Sequence, residues 1–323
     1  MLENFLKKSN NAKQQAFLKL TLAIYHTYES EKKSQNMIDY DDLIIIATKI
    51  VNNNGIVQNY KYIIIDEFQD TSPIRFDLIK AITKKNNASL TVVGDDFQSI
   101  YRFSGCNLEL FLNFSNNFKN TKVLKIENTY RNSQELIDIA GRFIMKNPTQ
   151  IRKNLKSNKH YIKPIKIIYE KHNSLKRILI TLNNTSFKNI LILGRNNFDI
   201  QKYLDKDLSI NEDGHINYDK CNNLSIRFLT VHKSKGLEAD IVIILNLINS
   251  DFGFPNKLEN DELLNIVCEA DNFVFEEERR LFYVALTRTK NQVYLFTQKN
   301  NSSIFIKELL RDYKNQVEII KKY

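Results

Sequence analysis

YIIIDEFQDTS, residues 62–72, is the most informative stretch of this sequence. Its first four residues form a short apolar run rich in β-branched side chains, which predicts a strand buried on both faces of a parallel sheet. The run ends at Asp66 and Glu67, and open α/β sheets bind their ligands at the carboxyl ends of their strands. In a nucleotide-binding sheet, an aspartate at this place can hold Mg²⁺ and a glutamate can polarise the attacking water.

A simpler interpretation of the same stretch is a strand that runs into a capped helix. Asp70, Thr71 or Ser72 can cap that helix, and Pro73 suits its first turn. This interpretation accounts for residues 70–73, but it does not explain two adjacent carboxylates followed by a glutamine.

A second apolar run, residues 90–93, ends in Gly94 and the segment DDFQSIYRFSG. Gln98 is a neutral hydrogen-bonding side chain that can sense a terminal phosphate. Tyr101 and Phe103 are aromatic residues at the edge of a loop, where they are suited to stacking on unpaired bases. The alternative is that both rings belong to the core, as most single aromatic residues do.

Composition restricts the class of protein without identifying it. The formal net charge of +10 favours polyanionic partners, although a generally basic proteome would produce the same charge. The three cysteines, Cys106, Cys221 and Cys268, are far apart and odd in number, so they predict no disulfide framework and suit a reducing cytosol. No signal peptide and no apolar run of membrane-spanning length is present, so we expect a cytoplasmic protein without a membrane partner.

Elsewhere the sequence alternates between predicted strands and predicted helices, which favours parallel sheets. Predicted helices cover 41–51, 73–83, 133–143, 174–182, 197–204 and 276–288, after one or two helices in 5–31 and before a closing helix. Predicted strands cover 123–126, 165–169, 190–193, 224–231, 241–245 and 292–297, and predicted loops cover 211–223 and 249–260. Arg131 follows the first of these strands, where it suits either a phosphate contact or a surface salt bridge.

Five blocks in this order resemble the UvrD/Rep-type superfamily 1 DNA helicases. They are DEFQDTS (66–72), GDDFQSIYRFSG (94–105), NTYRNS (128–133), TVHKSKGLEADIVI (230–243) and EEERRLFYVALTRTK (276–290). The YRFSG form and Gly253-Phe254-Pro255 are most similar to the helicase IV type within that family. Each block alone is moderately specific, but five in the correct order are hard to obtain by chance.

The resemblance implies an α/β fold of the P-loop NTPase (RecA-like) class that binds ATP and Mg²⁺. Residues 1–118 would be part of a first RecA-like domain and residues 119–323 a second one, with the nucleotide in a cleft between them. Asp66 would hold Mg²⁺, Glu67 would activate water, Gln98 would read the γ-phosphate, and Arg131 and Arg288 would stabilise the transition state. Tyr130, Gly236 and Glu238 would contact the nucleotide, and Tyr101, Phe103, Thr230 and His232 would contact single-stranded DNA.

The sequence departs from the family pattern at two places. The chain has no tryptophan, and Phe103 occupies the position of the family's stacking tryptophan. None of the eight glycines is followed by lysine, so the Gly-Lys-Ser/Thr end of a phosphate-binding P-loop is not present. We therefore expect the family's amino-terminal third to be missing, or supplied in trans, and the isolated chain to be inactive.

Two functions remain open from the sequence. The first is the carboxyl-terminal portion of an ATP-dependent 3′–5′ DNA helicase or translocase that acts on single-stranded DNA in repair or recombination. The second is a non-catalytic remnant of such a helicase that binds nucleic acid or a partner. A long-inactive remnant is expected to lose Asp66, Glu67, Arg131 or Arg288, and all four are present.

Overall fold

The computed structural model describes residues 11–53, 55, 58–258 and 273–321. Within these residues the chain forms two compact units. The first unit contains the described residues up to Asp95 together with Tyr101–Asn117. The second contains Asp96–Ile100, Phe118–Leu258 and residues 273–321. The division into two RecA-like domains at residues 118 and 119 stays a prediction.

The first unit joins helices to a small parallel sheet. Its elements are α1 (Ala12–Ser34), α2 (Tyr40–Asn52), β1 (Tyr62–Ile65), α3 (Pro73–Asn86), β2 (Ser89–Val92), α4 (Glu109–Leu112) and α5 (Phe114–Asn117). Asp39 and Asp42 form a capping box at the start of α2, and the ammonium of Lys32 at the end of α1 contacts both carboxylates. Helices α2 and α3 confirm the helices predicted at 41–51 and 73–83.

The prediction that β1 is buried on both faces is wrong. Tyr62 and Ile64 are 75% and 73% exposed, whereas Ile63 and Ile65 on the opposite face are half-buried. β2 shows the same alternation, and its pairing with β1 is parallel and in register. Among the described residues this sheet has two strands, and one of its faces lies open to solvent.

The second unit is built on a six-stranded sheet in which every pairing is parallel, in the order β10-β3-β9-β8-β4-β7. Its strands are β3 (Ile165–Tyr169), β4 (Asn189–Gly194), β7 (Ser225–Thr230), β8 (Ala239–Ile244), β9 (Thr289–Thr297) and β10 (Val317–Ile320). A separate antiparallel hairpin consists of β5 (Leu208–Ile210) and β6 (Ile216–Tyr218). The mixed α/β fold with parallel sheets is thus confirmed.

Among the described residues, four α-helices accompany this sheet: α6 (Gln134–Ile144), α7 (Ser174–Asn183), α8 (Glu276–Leu286) and α9 (Ile304–Asp312). Helix α7 packs on the face that presents Ile190, Ile192, Ile241 and Ile243. Helices α6, α8 and α9 pack together through Phe143, Phe282 and Phe305, whose ring centroids lie 5.1–5.3 Å apart. β4 and β8 are buried along almost their whole length, as the apolar runs predict.

Several predicted elements of the second unit need correction. Residues 123–126, predicted as a strand, are exposed and form no regular secondary structure, since no strand among the described residues pairs with them. The loop predicted at 211–223 contains β6, and Gly214 at φ +84° allows the chain to turn between β5 and β6. The helix predicted at 197–204 is a 3₁₀ helix, Asn197–Tyr203, and β10 was not predicted.

Other predictions fall partly outside the described residues. These are the first part of the amino-terminal helix, the end of the loop at 249–260, and Cys268. Within the described part of the chain, no helix is long and apolar enough to cross a membrane.

Candidate functional site

Asp66 and Glu67 directly follow β1 in the first unit, and both side chains are exposed. The Asp66 carboxylate accepts a hydrogen bond of 2.8 Å from the backbone N–H of Glu67. Glu67 itself adopts φ +51°, in the left-handed region that residues other than glycine rarely occupy. Such strain is concentrated at functional sites in proteins, so the backbone supports a functional role for this carboxylate.

Gln69 joins the DEFQ segment to the residues after β2. Its side chain is fully buried, and its carbonyl oxygen accepts a hydrogen bond of 2.9 Å from the backbone N–H of Asp95. Its amide nitrogen donates to the Glu67 carboxylate. A side chain on Gly94 would place Cβ 2.6 Å from the Gln69 oxygen and 2.9 Å from Phe111, so this position needs glycine.

Tyr101 and Phe103 form an edge-to-face pair in the first unit, with ring centroids 6.0 Å apart. Phe103 is 70% exposed, whereas Tyr101 is half-buried. Burial, reinforced by the charges of Asp70 and Glu67, raises the pKa of Tyr101. The pair therefore presents one open aromatic face close to acidic residues, and it is not a pair of core residues.

Gln98 lies in the second unit, on the short segment Asp96–Ile100. Its side-chain oxygen accepts a hydrogen bond of 3.2 Å from Arg288 Nη2, and its backbone carbonyl accepts one of 2.8 Å from Lys235 Nζ. The neighbouring Phe97 packs edge-on against Tyr283 of α8, with 5.2 Å between ring centroids. Gln98, which was predicted to sense phosphate, thus contacts Arg288. Its neighbour Phe97 packs against α8, the helix that precedes Arg288.

Asp96, next to Gln98, is completely buried in the same unit. Its carboxylate accepts a hydrogen bond of 2.7 Å from the backbone N–H of Ile151, and Lys153 Nζ lies 2.5 Å from its other oxygen. The same ammonium lies 4.0 Å from the centroid of the Phe97 ring. These contacts fix the short segment that carries Gln98.

Arg131 and Arg288 contact two residues that are adjacent in sequence, Glu238 and Leu237 respectively. Arg131 Nε lies 2.9 Å from the Glu238 carboxylate, and Arg288 Nη1 lies 3.5 Å from the carbonyl oxygen of Leu237. Lys290 binds the other oxygen of Glu238 at 2.8 Å. Lys290 and Arg131 together lower the pKa of Glu238. Arg288 is buried, whereas Arg131 is only partly covered.

The other residues predicted to contact nucleotide lie on the surface of the second unit. Tyr130 is highly exposed and Gly236, at φ +83°, has open space where a side chain would project. Both are neighbours in sequence of the arginine–glutamate pair, Arg131 and Glu238. The structure therefore brings Gln98, Arg131, Arg288 and Glu238 into one connected group, with Tyr130 and Gly236 beside it.

Thr230 is the last residue of β7, and His232 follows two residues later. Thr230 is buried, and the backbone N–H of Val231 between them donates to the carbonyl oxygen of Gly194 at the end of β4. Burial and the nearby positive charge of Arg195 lower the pKa of His232 to about 4. Arg195 in turn pairs with Glu278 at 2.7 Å, and burial raises the pKa of that carboxyl.

Sequence reasoning missed four residues that connect these groups: Gln69, Arg195, Lys235 and Lys290. Gln69, Lys235 and Lys290 lie inside the quoted blocks, so block membership is the signal that could have identified them. Arg195 follows a predicted buried strand, and the carboxyl end of that strand is its signal.

The residues present fit a magnesium ion that is shared with a nucleotide. The described part of the chain contains no group of three or more His, Cys, Asp or Glu that could hold a metal ion alone. Mg²⁺ is usually bound by one or two carboxylates together with substrate phosphates, and Asp66 supplies an exposed carboxylate at a strand end.

Comparison with known proteins shows which class of protein the chain resembles. Residues 2–119 match the family model of the UvrD/REP helicase N-terminal domain. The chain is 34% identical to DNA helicase IV of Escherichia coli K12 over 299 residues, covering 91% of this chain and 42% of the relative. It is 29% identical to the ATP-dependent DNA helicase srs2 of Schizosaccharomyces pombe over 307 residues, covering 90% and 33%.

The sequence is thus similar to DNA helicases of the UvrD/Rep type over most of its length. A further relative, the ATP-dependent DNA helicase Rep of Escherichia coli K12, is 31% identical over 186 residues, or 54% of this chain and 28% of Rep. The chain thus spans less than half the length of these curated relatives.

Proposed function

We propose that this chain works as part of an ATP-dependent 3′–5′ DNA helicase or translocase that acts on single-stranded DNA in repair or recombination. The observation that carries the proposal is the connected group of Gln98, Arg131, Arg288 and Glu238 in the second unit. Cationic side chains and a neutral amide in one group are what the transfer of a phosphoryl group requires of a protein. We also propose that the protein acts in the cytoplasm.

In this proposal each of these side chains has its own role. Arg131 and Arg288 stabilise the charge that develops on the transferred phosphoryl group, and Gln98 senses that group through its contact with Arg288. Tyr130, Gly236 and Glu238 contact the nucleoside part of ATP. Asp66 would hold Mg²⁺, which would supply positive charge to the phosphates when bound, and Glu67 would orient the attacking water.

A second candidate function is a non-catalytic module that binds nucleic acid or a protein partner. The observation in its favour is that no glycine of the sequence precedes a lysine, so the phosphates have no P-loop cradle. The two candidates differ in one respect that can be measured. The first requires hydrolysis when a P-loop segment is supplied in trans, and the second does not.

The first candidate function requires binding to single-stranded DNA, and the first prediction concerns that binding. Tyr101 and Phe103 stack on single-stranded DNA, and Thr230 and His232 contact the strand. Because stacking contributes roughly 1–3 kcal/mol per base, Tyr101→Ala and Phe103→Ala should each weaken binding by about five- to a hundred-fold. Fluorescence anisotropy of a labelled oligonucleotide measures the affinity, and binding should weaken steeply with added salt.

Tyr25→Ala is a suitable control because Tyr25 is an exposed aromatic residue on α1. It should leave the affinity unchanged. If Tyr101→Ala and Phe103→Ala both bind as tightly as the wild type, neither ring stacks on DNA. If the wild-type chain binds no oligonucleotide at low salt, the DNA-binding part of the proposal is wrong.

A further inference from the structure

Two phenylalanines outside all five sequence blocks form an exposed aromatic pair on the second unit. Phe198 and Phe252 are 53% and 52% exposed, and their rings meet edge-to-face with centroids 5.9 Å apart. Exposed aromatic rings held in contact with each other differ from scattered surface apolar residues, because together they form one apolar surface that can receive a ligand.

The loop that carries Phe252 is fixed by hydrogen bonds. The carbonyl oxygen of Phe252 accepts from the side-chain amides of Asn196 and Asn246, at 3.1 and 3.0 Å. The same amide of Asn246 also lies 2.8 Å from the buried carboxylate of Asp199, which closes a capping box with Asn196. The two rings are therefore positioned by one polar network, and the site is formed before any ligand arrives.

Glycine and a buried ring complete this loop. A side chain on Gly253 would place its Cβ 2.1 Å from the carbonyl oxygen of Ile248, so the backbone passes too closely for any other residue. Phe254, the next residue, is completely buried and packs on Phe282. Phe252 is thus held outward while Phe254 anchors the loop in the core.

The pair lies beside the segment proposed to contact DNA. Phe198 and Phe252 follow the carboxyl ends of β4 and β8, and β7, which ends at Thr230, is the neighbour of β4. Glu278 links the region, since one oxygen binds Arg195 and the other accepts from the backbone N–H of Asn256. Arg195 is the charge that acts on His232. Asn196, whose amide binds the Phe252 carbonyl, directly follows Arg195, so the aromatic pair and His232 lie at the same edge of the sheet.

We propose that Phe198 and Phe252 form a second stacking platform for unpaired bases of single-stranded nucleic acid. The inference rests on the proposed function, because it adds a contact to the same DNA-binding activity. A nucleic acid fits better than a protein partner for two reasons. The chain carries a net charge of +10, and the exposed Lys233 lies on the segment that follows β7, at the same edge of the sheet as the two rings.

The absence of tryptophan makes a direct test possible. Phe252→Trp and Phe198→Trp each create the chain's single tryptophan, whose emission reports on that ring alone. Stacking of a base should quench the emission, with the same midpoint as the anisotropy of a labelled oligo(dT). Ile162→Trp is the control, since Ile162 is 85% exposed and precedes β3, at the amino-terminal edge of the parallel sheet. Its emission should not change.

Affinity measurements on the full chain give the second readout. Phe198→Ala and Phe252→Ala should each weaken oligo(dT) binding by about five-fold or more, and Phe252→Leu should be as weak as Phe252→Ala because leucine offers no π-face. Since both side chains are half exposed, thermal unfolding by circular dichroism should show that the variants fold as the wild type does.

Failure of this inference can be told from failure of the proposed function. If the wild type binds oligo(dT) and Tyr101→Ala weakens it, but the Phe198 and Phe252 variants bind normally without quenching, only the second platform is overturned. If Phe252→Leu binds oligo(dT) as tightly as the wild type does, the pair is a general apolar surface that suits a protein partner, and the stacking role is overturned. If the wild type binds no oligonucleotide, the DNA-binding proposal and this inference both fail.

Discussion

His232 is a largely buried imidazole that lies next to the positive charge of Arg195. Both conditions disfavour the imidazolium and lower the pKa of His232 to about 4, from an ordinary value of 6.5. The folded protein therefore binds the proton later than the unfolded chain does as the pH falls. The contribution of the neutral His232 to the free energy of unfolding is therefore complete above pH 6.5, and it is lost progressively as the pH falls from 6.5 to 4.

The second prediction follows from this sign. Acidification from pH 7 to pH 4.5 should lower the free energy of unfolding of the wild type by as much as about 3 kcal/mol more than that of His232→Asn, which lacks this proton. Urea unfolding at the two pH values measures the difference. His172→Asn, at an exposed histidine of the same unit, should keep the wild-type profile. Identical pH dependence in wild type and His232→Asn would show that the imidazole is not desolvated.

Individual site residues could be predicted from their positions in the blocks, but their connections could not. The spacing of Arg131, Glu238 and Arg288 gives no distance, because more than a hundred residues separate the first two. The ion pair between Arg131 and Glu238 depends on tertiary packing, because the neighbouring Asn132 donates to the carbonyl oxygen of Thr289, which lies opposite Ala239 in the sheet. Gln69 was missed for the same reason, since its partner Asp95 lies on another segment.

Helices α8 and α9 are joined by a buried ion pair. Arg279 Nη1 and Nη2 lie 3.1 and 2.8 Å from the two carboxylate oxygens of Glu308, and the guanidinium also faces the rings of Phe143 and Phe305. Lys146 adds a second cation at 2.6 Å. Removing one partner from such a pair leaves an uncompensated charge in the core.

The third prediction is that Glu308→Ala lowers the free energy of unfolding by about 3–5 kcal/mol, because Arg279 stays buried without its carboxylate. Chemical denaturation measures this loss. Glu318→Ala, at an exposed glutamate of β10 that lies 3.9 Å from Lys166, should change stability by about 0.5 kcal/mol or less. A loss below about 1 kcal/mol in Glu308→Ala would mean that the pair contributes little.

Helices and strands were predicted well where the local sequence pattern determines them. They were predicted poorly where burial or strand pairing depends on another element. β4 and β8 are continuous apolar runs in the centre of a sheet, and their strands were predicted within one or two residues. The apolar residues of β1 suggested two buried faces, yet Tyr62 and Ile64 are exposed, since burial depends on neighbouring layers that the run itself does not specify. Residues 123–126 have strand-like composition but no pairing strand among the described residues.

The chain contains the carboxylates, the glutamine and the arginines that we assign to ATP hydrolysis, but its sequence has no Gly-Lys pair and so no phosphate-binding P-loop. Phosphoryl transfer depends mainly on positioning and on electrostatic stabilisation, and a P-loop supplies much of both. Lys233 and Lys235 do not replace the P-loop lysine in this proposal, since Lys235 Nζ is bound to the carbonyl oxygen of Gln98. We therefore expect these 323 residues alone to hydrolyse ATP no faster than background.

The exposed face of β1 and β2 is where we expect an added segment to pack against the first unit. Tyr62 and Ile64 offer it an apolar surface, and apolar surfaces of this kind mark contact sites. A separately produced α/β segment that carries a Gly-Lys-Ser/Thr loop, taken from a UvrD/Rep relative, should then restore hydrolysis. In the restored complex, Arg288→Lys should lower turnover by about a thousand-fold, the usual contribution of such an arginine.

Phosphate release from ATP, with and without single-stranded DNA, is the measurement that distinguishes the two proposed functions. We predict no DNA-stimulated release by the chain alone, and clear DNA-stimulated release when the P-loop segment is added, which Arg288→Lys abolishes. Robust DNA-stimulated release by the 323 residues alone would contradict the argument about the phosphate cradle. Addition of the segment without any release, although it binds the chain, would contradict the motor function and favour the non-catalytic module.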